Sequence, residues 1–109
     1  MTDAVVILTT VPDAEGADVI ARTLVEEQLA ACVNVLPLMA SFYRWRGAIE
    51  REAEHQLVIK TTRTRVADVQ TRLLELHPYE LPEFIVVPII DASVAYLEWV
   101  MKETSPTVS

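Results

Sequence analysis

The segment ELHPYELPEF, from Glu75 to Phe84, concentrates groups that can bind or react. It holds one histidine, one tyrosine, three carboxylates and two prolines in ten residues. His77 offers an imidazole nitrogen to a metal ion, and Glu80 and Glu83 offer oxygens. A tight transition-metal site takes three or four protein ligands, so His77 needs partners that its own segment does not supply. Cys32, the only cysteine, is a soft ligand suited to Cu(I). No Lys, Arg or His adjoins it to lower its pKa, so it reads equally as a small buried hydrophobe. His77 has an architectural reading too. It ends a helix, where an imidazolium gains about 0.3–1 kcal/mol from the dipole, and Pro78 follows as a stop signal.

A second group is aromatic. Tyr43, Trp45, Tyr79, Tyr96 and Trp99 either line a cleft between subunits or pack at an interface, where large aromatics bury much area with few rotors. Lys60 and Arg44 add two cations, placed in the same cleft to meet an anionic ligand only by analogy with a fold of similar architecture. His55 lies in an acidic strand and reads as a solvated cross-strand partner. Catalytic motifs are missing: there is no phosphate-binding P-loop, no H-E-x-x-H, no G-x-S-x-G and no C-x-x-C. Asp13 and Glu15 would repel a phosphate from the start of the first helix. The expectation is a non-enzyme with no organic cofactor.

These residues are positioned by a chain of 109 residues, the size of one domain, of which 51% are hydrophobic. Two glycines imply regular structure with short connections. The net charge of -7 disfavours nucleic acid and anionic membranes as partners. A single cysteine, a start without a signal-peptide pattern and no bilayer-length apolar run point to a soluble cytoplasmic protein.

The hydrophobic period changes repeatedly along the chain. Ala4–Thr10 reads as a buried strand. A helix follows from an Asp13 cap to about Leu29. Cys32–Arg46 has strand composition, with Pro37 implying a bulge or an unpaired edge. After a turn at Gly47, Ala48–Thr62 alternates, with Glu50, Glu52, Glu54 and Gln56 on one face. A second helix runs from a possible Thr64 cap to Pro78. The run EFIVVPII, starting at Glu83, reads as another buried strand. A third helix, capped by Asp91 or Ser93, carries Val94, Leu97 and Met101 on one side. Residues 103–109 read as a frayed tail of the single domain 1–109. The order βαββαβ is that of a ferredoxin-like α+β fold, an antiparallel sheet with two helices on one face; the C-terminal helix is an addition.

The central hairpin is too long for the domain. Strands of about 13–15 residues reach roughly 45 Å, against about 30 Å for a small domain. The projecting tip carries Phe42, Tyr43, Trp45 and Ile49, which are costly to leave in water. Pairing with neighbouring subunits in a closed ring solves this. A shorter hairpin broken at Pro37 within a monomer is the alternative.

LVEEQLAACVNVLP, SFYRWRGAIEREAEHQLVIKT, LHPYELPEFIVVPI and YLEWV together resemble the CutA divalent-cation-tolerance proteins from Val5 to Lys102. The resemblance implies a ferredoxin-like homotrimer, similar in architecture to PII signalling proteins, that is involved in tolerance to divalent cations, copper in particular. It implies copper or another divalent cation, weakly bound, with His77, Cys32 and Glu80 as candidate ligands. Copper binding in some members is attributed to a cysteine at the end of the first strand and a histidine pair before P-Y. This chain has Thr9 and Leu76 at two of those positions and keeps only His77. A PII-like sensor for a small anionic ligand, signalling to a protein partner, is the alternative, followed by a ligand-free scaffold.

Overall fold

The structure is a computed structural model that describes residues 2–105. Strand β1 (Ala4–Val11) leads to helix α1 (Ala14–Glu26), then β2 (Cys32–Val35), β3 (Met39–Trp45), β4 (Ala48–Thr62), α2 (Val66–Leu76), β5 (Ile85–Pro88) and α3 (Val94–Glu103). The strands form one antiparallel sheet in the order β2-β4-β1-β5, with β3 continuing along β4 beyond β2. This is the ferredoxin-like arrangement, with a central hairpin longer than the rest of the sheet. The molecule measures 47 Å along its longest axis and 30 Å across the next.

Period-two alternation in β1 and β4 sets the core. Val5, Ile7, Thr9 and Val11 are sealed from solvent on the same face as Leu57 and Ile59. Ala17, Ile20 and Leu24 of α1 and Val69 and Leu73 of α2 close over them. At full burial each Val, Ile or Leu among them contributes about 1.5–3 kcal/mol. On the opposite face Ala4, Ala31 and Val100 form a smaller cluster beneath α3, with Ile89 and Leu97 partly buried against it.

Local signals fix the element ends, some of them against expectation. The Asp13 carboxylate accepts from the Gly16 N–H at 2.6 Å and caps α1 as its sequence predicts. The helix stops at Glu26 rather than near Leu29, because Gln28 turns left-handed at φ 58°. The N–H groups of Leu29 and Ala30 then return to the Leu24 carbonyl. Thr64 does not cap α2. A short 3-10 turn, Arg63–Arg65, starts it, and the Thr64 hydroxyl meets that of Thr62 at 3.2 Å. Ser93, not Asp91, caps α3 by accepting from the Tyr96 N–H at 3.3 Å. Val94 and Met101 of the expected α3 stripe stay exposed, while Val100 is the buried residue. Strand β5 is exposed along its length; among the described residues it pairs with β1 at the edge of the sheet. Of the residues expected to fray, Glu103 ends α3 and Thr104 is buried, its hydroxyl donating to the Val100 carbonyl. Residues 106–109 of that expected tail lie outside the described residues.

Pro37 has the largest consequence. Val35 pairs with Leu57 and Met39 with Glu54, so Leu36, Pro37 and Leu38 stand opposite only His55 and Gln56. One extra residue is a β-bulge, and it shifts the register by one. A one-residue shift turns every following side chain to the other face. Val33, before the bulge, packs toward the helices with Ile59. Met39, Ser41, Tyr43 and Trp45, after it, share the opposite face with Glu54, Glu52, Glu50 and Ala48. His55 helps to hold the break, its Nδ1 lying 2.8 Å from the Leu36 carbonyl oxygen. It is thus a local tie and not merely a solvated strand residue. At the tip, Arg46 and Gly47 have φ of 49° and 83°, as a two-residue primed turn requires.

Candidate functional site

The face that the bulge assigns to Tyr43 and Trp45 forms a cleft of about 710 Å³. Its floor is Glu54, Gln56 and Thr10, from β4 and β1; Met39, Ser41, Tyr43 and Trp45 form one wall with Phe42. The other wall is the segment Tyr79–Glu83, which follows α2 and returns across the sheet.

That return is fixed by His77. Its backbone N–H closes α2 on the Leu73 carbonyl at 2.8 Å. Its ring is buried, with Nε2 2.7 Å from the Thr10 carbonyl oxygen. The Tyr79 N–H donates to Nδ1 at 3.1 Å. A carbonyl can only accept and an N–H can only donate, so Nε2 carries the proton and Nδ1 the lone pair. Both nitrogens are engaged in placing Tyr79. The ring acts here as a neutral bridge rather than as the imidazolium expected at a helix end.

Tyr79 then reaches into the cleft. Its hydroxyl donates to Glu54 at 2.7 Å, and Glu54 is only 6% exposed. Burial, followed by the bond to Glu54 and by the surrounding carboxylate charges, pushes the Tyr79 pKa well above the usual phenol range. Tyr43 is raised in the same direction, by desolvation first and then by Glu52, Glu50 and Glu54. The Gln56 amide donates to Glu83 at 3.0 Å and to the Thr9 carbonyl at 2.7 Å. At the mouth, Arg46 lies 3.4 Å from Glu80 and 5.4 Å from the centre of the Trp45 ring.

The structure therefore gathers Tyr43, Trp45, Tyr79 and Glu80 at one site. It does not bring Cys32 or Lys60 there; these two are register partners on β2 and β4, and Cys32 is half-buried. Tyr96 and Trp99 stack on each other on α3 at 5.6 Å, outside the cleft lining. Arg44 is exposed and also outside it. Among the described residues no three His, Cys, Asp or Glu side chains converge as a metal cage. With both His77 nitrogens occupied and Cys32 apart, the donors do not fit a tight nitrogen–sulfur copper centre within one chain. The cleft's own carboxylates, buried Glu54, exposed Glu80 and half-buried Glu83, offer only oxygen donors. Sequence reasoning missed Glu54 as a site residue, because alternation places it among solvated glutamates. It is buried, and its hydrogen-bond donor Tyr79 lies 25 residues away.

A ferredoxin-like sheet with an overlong hairpin, and a cleft of aromatic rings and carboxylates along that hairpin, define a small α+β protein. The chain belongs to the CutA1 divalent ion tolerance family, whose model matches residues 5–103. It is 43% identical over 99 residues to the divalent-cation tolerance protein CutA of Thermus thermophilus, covering 91% of this chain and 96% of that one. The crystal structure of CutA from Xylella fastidiosa superposes with a TM-score of 0.93 at 46% identity, covering 95% of this chain and all (100%) of that one. The structure described as the periplasmic divalent cation tolerance protein CutA of Archaeoglobus fulgidus matches with a TM-score of 0.91 at 32% identity, over 94% and 99% of the two chains.

Proposed function

We propose that the chain serves divalent-cation tolerance as a cytoplasmic, non-enzymatic homotrimer that takes up divalent cations, copper among them, weakly. The observation that carries this reading is the chemistry of the cleft: Glu54, Glu80 and Glu83 face it, and Arg46 at the mouth is already committed to Glu80. An anionic ligand, the choice of a PII-like sensor, would meet three carboxylates there. Trimer assembly is supported by the exposed hairpin, where Phe42 and Ile49 are 68% and 71% open to solvent, and by the uncovered strand β5.

Calorimetric titration of tag-free protein with Cu(II) and Mn(II) tests the cation reading. The expected result is weak binding of both ions, reduced in Glu80→Gln/Glu83→Gln and unchanged in His77→Ala that remains folded. Tight copper binding abolished by His77→Ala would overturn the oxygen-ligand reading. Native mass spectrometry is expected to show three chains, and a monomer would end the trimer proposal. Cell fractionation tests location, with recovery in the periplasm, as the Archaeoglobus relative's description has it, counting against the cytoplasm.

A further inference from the structure

The cleft contains a buried carboxylate that has no cationic partner among the described residues. Glu54 is buried and accepts a hydrogen bond from a neutral phenol, and none of the ion pairs among the described residues includes it. Buried carboxylates are ordinarily matched by a cation, because desolvation disfavours an isolated charge. Glu83 likewise meets a neutral donor, the Gln56 amide. Only Glu80 has a cationic partner, and that pair displays how the cleft receives one: the Arg46 guanidinium lies over the Trp45 ring and against the Glu80 carboxylate.

The occupant must satisfy carboxylates that do not converge. A weakly held divalent ion takes one or two carboxylates and fills its shell with water, and since no three such side chains come together among the described residues, one ion leaves the remaining carboxylates unmatched. A cleft of about 710 Å³ walled by Tyr43, Trp45 and Leu81 has room for a chain-like organic molecule. We infer that this cleft binds a linear aliphatic polyamine, whose ammonium groups meet Glu54 and Glu83 in turn while its methylene runs lie along the aromatic wall. The inference shares the cleft with the cation-tolerance proposal but does not depend on it, since a polyamine needs no metal cage.

The test uses the full chain in its native assembly at about 0.1 M salt, where diffuse surface attraction is screened. Spermidine is titrated by calorimetry, with 1,8-octanediol as the uncharged control. The expected result is saturable spermidine binding, about tenfold or more weaker in Glu54→Gln and in Trp45→Ala, with no response to the diol. Glu54→Gln retains an acceptor for the Tyr79 hydroxyl, and an unchanged Tm without ligand confirms its fold. Glu15→Gln, an exposed carboxylate on α1, controls for net charge and is expected to bind like the parent. Equal binding by parent and Glu54→Gln, an equal loss in Glu15→Gln, or no binding at all overturns the inference. Mn(II) titrated separately keeps the two readings apart: Mn(II) without spermidine binding sinks only this one, and spermidine without Mn(II) sinks only the metal reading.

Discussion

Beneath α1 and α2 the sheet presents Val5, Ile7, Val11, Leu57 and Ile59, all closed to solvent. On its other face, at the hairpin end, the same strands present a buried carboxylate, an amide, a phenol and half-open aromatic rings. The first face is dry hydrocarbon and accounts for why the chain folds. The second holds polar groups where burial is costly, and it is consequently where binding is expected. One residue separates these assignments for β3. The bulge at Leu36–Leu38 sends Tyr43 and Trp45 to the polar face, while Val33, earlier along the same edge of β4, stays with the core.

Deleting Pro37 should break this division most completely. Two residues would then face His55 and Gln56, the register would run through, and Met39, Ser41, Tyr43 and Trp45 would turn toward the helix side. The cleft would disappear, and with it the hairpin's contacts with the Tyr79–Glu83 wall, such as the Arg46–Glu80 pair, as followed by nuclear Overhauser effects or a crystal structure. If those contacts persist because the slack moves to the Arg46–Gly47 turn, the bulge does not aim the aromatics.

Leu73→Ala probes the dry face alone. The side chain is fully buried, so the expected cost is about 2–5 kcal/mol in denaturant unfolding, from lost burial and the cavity left behind. Protein concentration must be held fixed, since assembly would couple to unfolding. The Tyr79–Glu54 bond is expected to survive. A loss below about 1 kcal/mol would mean that the cluster under α1 and α2 is not the main source of stability.

Tyr79→Phe probes the polar face. It leaves Glu54 buried without its donor, with an expected cost of about 1–3 kcal/mol near neutral pH. The pH dependence has a definite sign. The folded protein holds the Tyr79 proton more tightly than the unfolded chain, whose tyrosine titrates near the ordinary value of about 10. Below that pH the contribution is fully present. Above it the unfolded chain releases its proton first, and stability falls as pH rises toward the folded pKa. The parent should therefore lose stability more steeply than Tyr79→Phe above pH 10 in thermal melts. Parallel curves would show that the Tyr79 hydroxyl is not held by Glu54.

Much of the dry face was legible in the sequence, because it depends on local patterns. The alternation in Ala48–Thr62 and the Asp13 cap need only near neighbours. The end of α1 was not legible, because its left-handed residue is Gln28 rather than a glycine. Strand β5 misled for a different reason: an apolar run looks the same whether or not its own chain covers it. The cleft was half legible. Tyr43, Trp45, Tyr79 and Glu80 stand out by residue type, but Glu54 does not, since its hydrogen-bond donor lies far along the chain. Pro37 announced a bulge, yet which face followed it depended on counting residues on both strands.

The smallest effect tests the one flaw in the dry face. Thr9 is fully buried, and its hydroxyl has no hydrogen-bond partner among the described residues. Thr9→Val replaces that hydroxyl with a methyl group of similar size, so stability should rise by about 1 kcal/mol. A fall instead would mean that an ordered water enters the core to meet it. The position matters beyond stability, because the sequence resemblance implies a copper-binding cysteine at this point of the first strand. Here it shares the helix-covered face with Ile7 and Val11, whereas the cleft is lined from the opposite face by Thr10. A thiol introduced as Thr9→Cys should therefore resist modification in the folded protein and confer no copper binding. Rapid labelling would show that the dry face opens, and that the two faces are less separate than their side chains make them.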